Sequence, residues 1–503
     1  MENLMLNMKS IVWAVLVWTL LQWLVSEKLL RVRRRLPPGP TSLPVIGNLH
    51  NLTKKPHKAL AELAKIHGPL MYLRFGLMDT VVVSSSEVAR QVLQKKDAQL
   101  SNRTVPDCFR ALNFDEYSMA MMPPVHRWRI VRKIANTLLF SSKTLDANQE
   151  IRMKKIKDLI SYVGNCSQAR VAVNVGQVAF DTSLSLLSNT FFSMNLADPG
   201  SELSREFKQL TWDISRDAAK PNLADLFPVF KSVDPQGIKR RMASHFKKLL
   251  DVFDVIIDKR LASHKDGALE SCNDVLDALL KICQDNSEDF ELRQVRHMLI
   301  DLFFAGSETT SSTLEWAMAE LLHEPTKLKA TQEELGRVVG RGNFVEEADF
   351  ARLPYLRAVL SETFRLHPPL PFLLPRKASS DTEVHGFKIP KDSQVFVNTW
   401  AIGRDPDVWK NPNEFEPERF LNSEIDFKGN HFELLPFGSG RRICVGLPLA
   451  IRMLPLMLGN LLNFFEWKLE DGVKPEAMDM DDKFGMALQK ATPVYAIPVD
   501  ITI

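Results

Sequence analysis

Cysteine is scarce in this chain: 503 residues hold only five, Cys108, Cys166, Cys272, Cys283 and Cys444, and no CxxC pair. That argues against a disulfide-stapled scaffold, a zinc ribbon and a redox dithiol, and it suits a reducing compartment. An excess of one charge is also missing. The 64 basic residues face 61 acidic ones, a formal net charge of +3, so no global basic field points to nucleic acid. No GxGxxG fingerprint occurs, and the chain carries no flavin- or NADPH-binding segment of its own. Internal repeats and low-complexity tracts are absent too.

What is present begins with a long apolar run, Ile11 to Val25, interrupted only by Thr19 and Gln22. With its milder flanks it approaches the ~20 residues a helix needs to cross hydrocarbon. Trp13, Trp18 and Trp23 suit the membrane interfaces. No small-residue cleavage site follows, which favours a retained anchor over a signal peptide. Lys28, Arg31, Arg33, Arg34 and Arg35 outweigh Lys9, so the positive-inside rule places the rest of the chain in the cytosol. In that location, glycosylation-type matches at Asn51, Asn102 and Asn165 are chance. Residues 1–35 are therefore expected to be an anchor with a basic flank. Residues 36–40 (Leu-Pro-Pro-Gly-Pro) are expected to form a stiff hinge, because proline fixes φ and lacks an amide donor.

The body, 41–503, shows no linker that would divide it. Short β-type runs appear at Leu70 to Phe75 and Thr80 to Ser84, and again over Glu383 to Asn398. Apolar residues at three- and four-residue spacing predict helices over Glu87 to Lys95, Lys154 to Val163, Ser204 to Ile214, Lys239 to Leu261 and Glu291 to Leu322. The expected fold class is mainly α with a minor β portion, in one large domain.

The densest chemical signal is Phe437-Gly438-Ser439-Gly440-Arg441-Arg442-Ile443-Cys444-Val445-Gly446. Glycines allow close backbone approach. A helical pattern resumes at Leu447, so Cys444 precedes a helix N-terminus, whose positive end favours a thiolate. A second signal is Ala305-Gly306-Ser307-Glu308-Thr309-Thr310, inside a helix apolar enough to be buried. Gly306, with threonines that bond back to the preceding turn, could open a groove there, and an acid–alcohol pair can relay protons.

The first window matches the cysteine-ligand signature of cytochromes P450, and the second resembles that family's oxygen-activating motif. Glu362-Thr363-Phe364-Arg365 is similar to its ExxR element, Pro417-Glu418-Arg419-Phe420 to its PERF element, and Trp128 to Arg132 to its WxxxR element. These motifs follow family order, so the resemblance covers essentially the whole chain. It implies the P450 fold with a single N-terminal transmembrane helix, and haem b with Cys444 as axial iron ligand. Trp128, Arg132, Arg376, Phe437, Gly438, Arg442 and Gly446 would contact the cofactor. Glu308 and Thr309 would be catalytic, and Glu362, Arg365 and Arg419 structural. O2 is the implied co-substrate. Electrons would come from NADPH through a separate cytochrome P450 reductase docking near Arg441, at the endoplasmic reticulum membrane, with membrane lipid as a further partner.

Finer stretches, among them Lys220 to Leu223 and Val233 to Gly237, resemble plant geraniol 8-hydroxylases and related terpenoid-oxidising P450s. By that resemblance the substrate pocket includes Ala305, Leu370, Phe372, Leu373 and Phe484. The expected reaction is hydroxylation of a small apolar metabolite, a monoterpenol such as geraniol at an allylic methyl. Oxidation of a sesquiterpene, diterpene, alkaloid or phenolic stays open. So do a peroxide isomerase or dehydratase, and a non-catalytic haem-binding membrane protein. Val445 stands where proline usually follows the cysteine in that group.

Overall fold

Eight helices frame the body of the computed structural model: α1 (His126–Ile134), α2 (Gln149–Ala169), α3 (Val175–Phe192), α4 (Glu202–Ala219), α5 (Ile238–Lys265), α6 (Leu292–His323), α7 (Pro354–Leu366) and α8 (Leu447–Phe464). The structure describes residues 35–196, 201–265, 274–285, 289–470 and 473–501. Residues 1–34 of the expected anchor, and Cys272, lie outside the described residues.

Helix α6 is the strut on which five of the others pack: α3, α4, α5, α7 and α8. A capping box between Glu291 and Gln294 starts it, satisfying amides that a helix N-terminus otherwise leaves orphaned. Its first half belongs to one apolar core, where Phe303 lies between Phe191, Phe192 and Phe253 at ring separations of 5.6, 5.4 and 5.1 Å. Its second half, from Leu314 to Leu322, belongs to another core shared with α7 and α8. A helix apolar on most faces has to be enclosed in this way.

Helix α8 is the one described helix long and apolar enough to cross a membrane, yet most of it is buried inside the body. Its polar residues are matched internally: Asn460 bonds both the amide and the carbonyl of Val345. It is a core helix.

The minor β portion is led by a five-stranded sheet. Its strands are β1 (Leu70–Phe75), β2 (Met78–Val83), β3 (Asn102–Arg103), β4 (Arg376–Lys377) and β5 (Gln394–Val397), in the order β1-β2-β5-β4-β3. β1 and β2 form a hairpin whose turn uses Gly76 at φ +60°; β2 and β5 run parallel. The stretch over Glu383 to Asn398 resolves into Thr382–Val384, Phe387–Ile389 and β5. Val173–Asn174, Tyr495–Asp500 and Phe465–Leu469 form a three-stranded sheet, and Asp482–Lys483 pairs with Gln489–Lys490.

The helices expected from periodicity are present and mostly longer than their patterns. Glu87 to Lys95 is instead split between an α-helix, Ser86–Arg90, and a π-turn, Gln91–Lys95. The proline-rich segment also differs from a free joint. Leu36 and Pro37 are buried, and the Pro38 carbonyl accepts the Tyr72 amide at 2.8 Å. A Cβ on Gly39 would fall 2.0 Å from the Tyr72 carbonyl oxygen. The segment is stiff, as its prolines require, but it is docked along β1 as part of the body.

Candidate functional site

The cysteine loop owes its shape to two residues that only glycine tolerates well. Gly438 and Gly440 have φ of +67° and +71°, the left-handed region where a Cβ is penalised. A Cβ on Gly440 would also lie 2.2 Å from the Leu93 carbonyl oxygen. The loop closes when the Cys444 amide donates to the Phe437 carbonyl at 2.9 Å. Phe437 wedges edge-on against Phe364, with ring centroids 5.2 Å apart. Cys444 then stands three residues before α8. Its sulfur is exposed on one side and closely surrounded on the others. That packing raises the thiol's pKa, while the amides of Gly446 and Leu447 and the charge of Arg132 pull it down. A Cβ on Gly446 would rest in ordinary contact with the sulfur, at 3.9 Å.

Four arginines gather beside this loop. Arg132, on α1, donates to the Ile443 carbonyl at 2.6 Å. Arg442 lies over the Trp128 ring at 4.4 Å and donates to the carbonyls of Ser101, Met119 and Met122 at 3.0, 3.3 and 2.5 Å. The Trp128 indole shares the Met119 carbonyl at 3.0 Å. Arg376, on β4, reaches Asp97 at 3.1 Å and the Ser439 carbonyl at 3.3 Å. Arg103, on β3, donates to the carbonyls of Ala120 and Leu374 at 3.0 and 2.7 Å. Asp97 is the only carboxylate paired with any of them among the described residues, and it is shared with the half-exposed Arg441. Burial, and then the charges of Arg376 and Arg132, lower the Arg442 pKa to about 9. Burial also lowers that of Arg103, helped by Arg442 and Arg376. Sequence reasoning missed Arg103 and Asp97; nothing in their local sequence separates them from surface charges.

Across from the loop, α6 presents Ala305 and Thr309 to open space. The Thr309 hydroxyl donates to the Ala305 carbonyl at 2.7 Å, and Thr313 does the same to Thr309 at 2.9 Å. The back-bonding expected of these threonines is therefore present, but the helix runs unbroken through Gly306. A Cβ on Gly306 would meet the Leu187 side chain at 3.0 Å, so this glycine serves the close packing of α6 on α3. Glu308 is buried next to Thr309, and Gln489 donates to its Oε1 at 2.9 Å while Ser215 also bonds the carboxyl. Burial pushes its pKa up to about 8, opposed by those bonds and by Lys483 and Lys208. Gln489 and Ser215 gave no sequence signal, because only folding brings them to α6.

Two cavities adjoin, and this helix lines the smaller of them. The smaller, about 90 Å³, is lined by Ala305, Thr309, Leu370, Phe304 and Ile300 among mainly apolar residues. The larger, about 770 Å³, includes Phe372, Leu373 and Phe484. Phe109, Met121, Leu374 and Met486 belong to both walls. The five expected pocket residues thus divide: Ala305 and Leu370 lie at the inner space, and Phe372, Leu373 and Phe484 along the outer one.

Glu362, Arg365 and Arg419 come together in a separate buried cluster. Arg365 grips Glu362 with two bonds, 2.6 and 2.7 Å, and Arg419 reaches the same carboxylate at 3.0 Å. The Glu416 amide adds a bond of 2.7 Å to Glu362. Arg365 spends its other donors on the carbonyls of Gly403, Pro412 and Glu414 at 2.6, 2.6 and 3.0 Å. None of the three faces either cavity.

Comparison with known proteins adds to this geometry. Residues 37–495 match the family model described as Cytochrome P450. Drimenol monooxygenase of Persicaria hydropiper is 53% identical over 469 residues, covering 93% of each chain. Geraniol 8-hydroxylase of Swertia mussotii is 52% identical, over 93% of this chain and 94% of its own. Its namesake from Catharanthus roseus is 52% identical over the same shares.

Proposed function

The chain belongs to the cytochrome P450 family and is a monooxygenase, and from that premise we propose that it hydroxylates small plant terpenoids, with a monoterpenol such as geraniol, at an allylic methyl, as the leading substrate. The observation that carries this reading is the inner cavity: an almost wholly apolar space ending on Ala305 and Thr309. Apolar walls with few polar groups suit a terpenoid better than a charged metabolite.

The haem that the family implies fits the residues present. Four arginines, all at least partly buried, gather around the loop with Asp97 as the one paired carboxylate, on Arg376; burial first, and then neighbouring guanidiniums, lowers the pKa of Arg442 and Arg103. A group bearing two carboxylates would relieve that excess of positive charge, and guanidinium is the side chain suited to bind them. We assign Arg132, Arg376 and Arg442, with Arg103 added, to the propionates, and Trp128 to holding Arg442 in place. Cys444 would hold the haem iron through its sulfur, which the Gly446 and Leu447 amides meet and whose donor strength they would tune. When bound, haem supplies reductive activation of O2 at its iron.

The chain's own residues do the rest. The apolar walls position substrate and keep bulk water out. Thr309 holds a hydroxyl at the cavity edge. Glu308, carried at a pKa of about 8, is able to give up or take a proton near neutral pH. Glu362, Arg365 and Arg419 hold the fold beneath the cysteine loop. Residues 1–35 would anchor the body at the cytosolic face of the endoplasmic reticulum, where an NADPH-cytochrome P450 reductase supplies electrons.

The test is turnover of a terpenoid panel by the full chain in microsomes with a plant reductase, products being identified by mass spectrometry. NADPH-dependent hydroxylation of at least one monoterpenol is expected. Failure across the whole panel, by a preparation with an intact reduced-CO Soret band near the thiolate position, overturns the terpenoid reading.

A further inference from the structure

The hairpin over residues 482–490 carries Phe484 and Met486 into the outer cavity, and Met486 and Ala487 into the inner one. It is fastened on both sides of Phe484. Beyond it, the Met486 amide donates to the Ser215 carbonyl at 3.0 Å, the Leu488 amide to the Pro369 carbonyl at 2.7 Å, and the Ser312 hydroxyl to the Leu488 carbonyl at 2.8 Å. Before it, Asp482 receives Lys58 at 2.5 Å, which ties the hairpin to the helix Pro56–His67.

Between these fastenings the Phe484 side chain is placed by other rings. His57, on that helix, lies nearly parallel to it, 15° between planes and 5.6 Å between centroids. Phe372 meets it edge-on at 6.0 Å. Behind His57 stands Trp400, edge-on at 5.4 Å, with Arg404 over the Trp400 ring at 4.0 Å. His57 is wholly buried and lines neither cavity. Trp400, His57 and Phe484 therefore form a stack that runs from the scaffold to the outer cavity wall, and only its last member faces a ligand.

His57 contributes little here as a polar group. Its Nε2 lies 3.4 Å from Oδ1 of Asp482, and neither ring nitrogen has a hydrogen-bond partner. Burial, joined by the charges of Lys58 and Arg404, outweighs the pull of Asp482 and keeps its pKa below the ordinary histidine value. At neutral pH the ring is uncharged and serves as a flat spacer. Interiors are close-packed, and a space opened behind a side chain is filled by whatever can move into it. Without the spacer, Phe484 has room to turn away from the cavity, and the outer wall widens.

We propose that His57 is a positioning residue for substrate selection: it props Phe484 against the outer cavity, and the size of terpenoid that the enzyme favours depends on it. This rests on the terpenoid reading above. It differs from a purely structural role, in which His57 would only join the helix Pro56–His67 to the hairpin.

The experiment takes the best ten-carbon and the best fifteen-carbon alcohol of the terpenoid panel and follows the ratio of their kcat/KM values in the full chain with reductase. The ratio of their affinities is read from the substrate-induced Soret shift of the ferric enzyme. His57→Ala should move both ratios about 10-fold toward the larger alcohol, the scale on which pocket shape discriminates apolar groups. His57→Phe, which restores a flat ring, should hold them within about twofold of the unaltered enzyme. Phe484→Ala should act like His57→Ala, and the double variant should go no further, since the two residues act as one unit. If the His57→Ala chain does not fold, His57→Leu, which fills space without a flat face, takes its place and should move the ratios at least about threefold. Equal losses toward both alcohols overturn the proposal and leave the terpenoid reading standing. So does a shift as large in His57→Phe as in His57→Ala, or a full further shift in the Phe484→Ala background. No binding or turnover of any terpenoid by the unaltered enzyme overturns both.

Discussion

The two clusters of buried charge in this molecule differ in how they are balanced. Around Glu362, the guanidiniums of Arg365 and Arg419 share one carboxylate, Glu416 adds a second acid, and the remaining donors of Arg365 end on backbone carbonyls. Around Arg442, the guanidiniums of Arg103, Arg132 and Arg376 crowd together with Asp97 as the paired acid, and that acid also serves Arg441. The first cluster is complete within the chain. The second finds carbonyls for its donors but only Asp97 as a paired acid, and burial first, with the neighbouring guanidiniums adding to it, lowers the pKa of Arg442. Both read as "Arg near a motif" in sequence. What separates them is whether the chain supplies the anion.

The comparison is tested most severely by removing one partner from the closed cluster. Glu362→Ala leaves two buried guanidiniums facing each other, and a loss of about 3–5 kcal/mol is expected. Chemical denaturation should register it, with or without haem, together with loss of the thiolate-type reduced-CO spectrum. If the variant keeps its stability, the cluster is not the self-sufficient unit described.

A smaller and differently signed effect is expected in the open cluster. Arg442→Gln keeps donors for the carbonyls of Ser101, Met119 and Met122 but removes a charge. The haem-free chain should be no less stable than the unaltered one, because repulsion is relieved. The haem-loaded chain should release haem roughly tenfold faster, since a charge-assisted bond is lost. Transfer of haem to an apo-globin acceptor measures this. Equal destabilisation of both forms would erase the distinction between the clusters.

Glu308 carries the same contrast with the sign of charge reversed. It is a buried carboxyl whose nearest aids are neutral donors, with Lys208 and Lys483 acting from further off. Its pKa in the fold, about 8, lies above the ordinary glutamate value of 4.5. The folded state therefore binds the extra proton between those values. Its contribution to stability is complete below pH 4.5 and is lost as pH rises through about 8. The slope is at most about 1.4 kcal/mol per pH unit for one group. Glu308→Gln should flatten the fall in stability across that window, read by urea denaturation at stepped pH. An unchanged slope would mean Glu308 ionises freely in the fold.

Local sequence carried much of this. The helix and strand runs were legible because amphipathic spacing is set by backbone periodicity, as in Ser204 to Ile214 within α4. The Glu362–Arg365 pair was legible because a three-residue separation puts both on one face of a helix. Other features were not. Arg103 and Asp97 join the site through β3 and the short helix before it, Asp97–Leu100, hundreds of residues from Cys444. Gly306 read as a groove opener, but its partner is Leu187 on another helix. The proline segment read as a hinge because nothing local shows that Tyr72 will bond it.

By itself, then, the sequence determined the family, the cysteine loop with its obligatory glycines, and the helix that faces it, since each depends on residues adjacent in the chain. The tertiary structure decided which charges are balanced and which are not, where Glu308 finds its donors, and that His57 packs against Phe484. Those outcomes depend on burial and on partners far apart in sequence. A carboxylate or guanidinium has the same chemistry everywhere along a chain until folding sets its distance from water and from other charges.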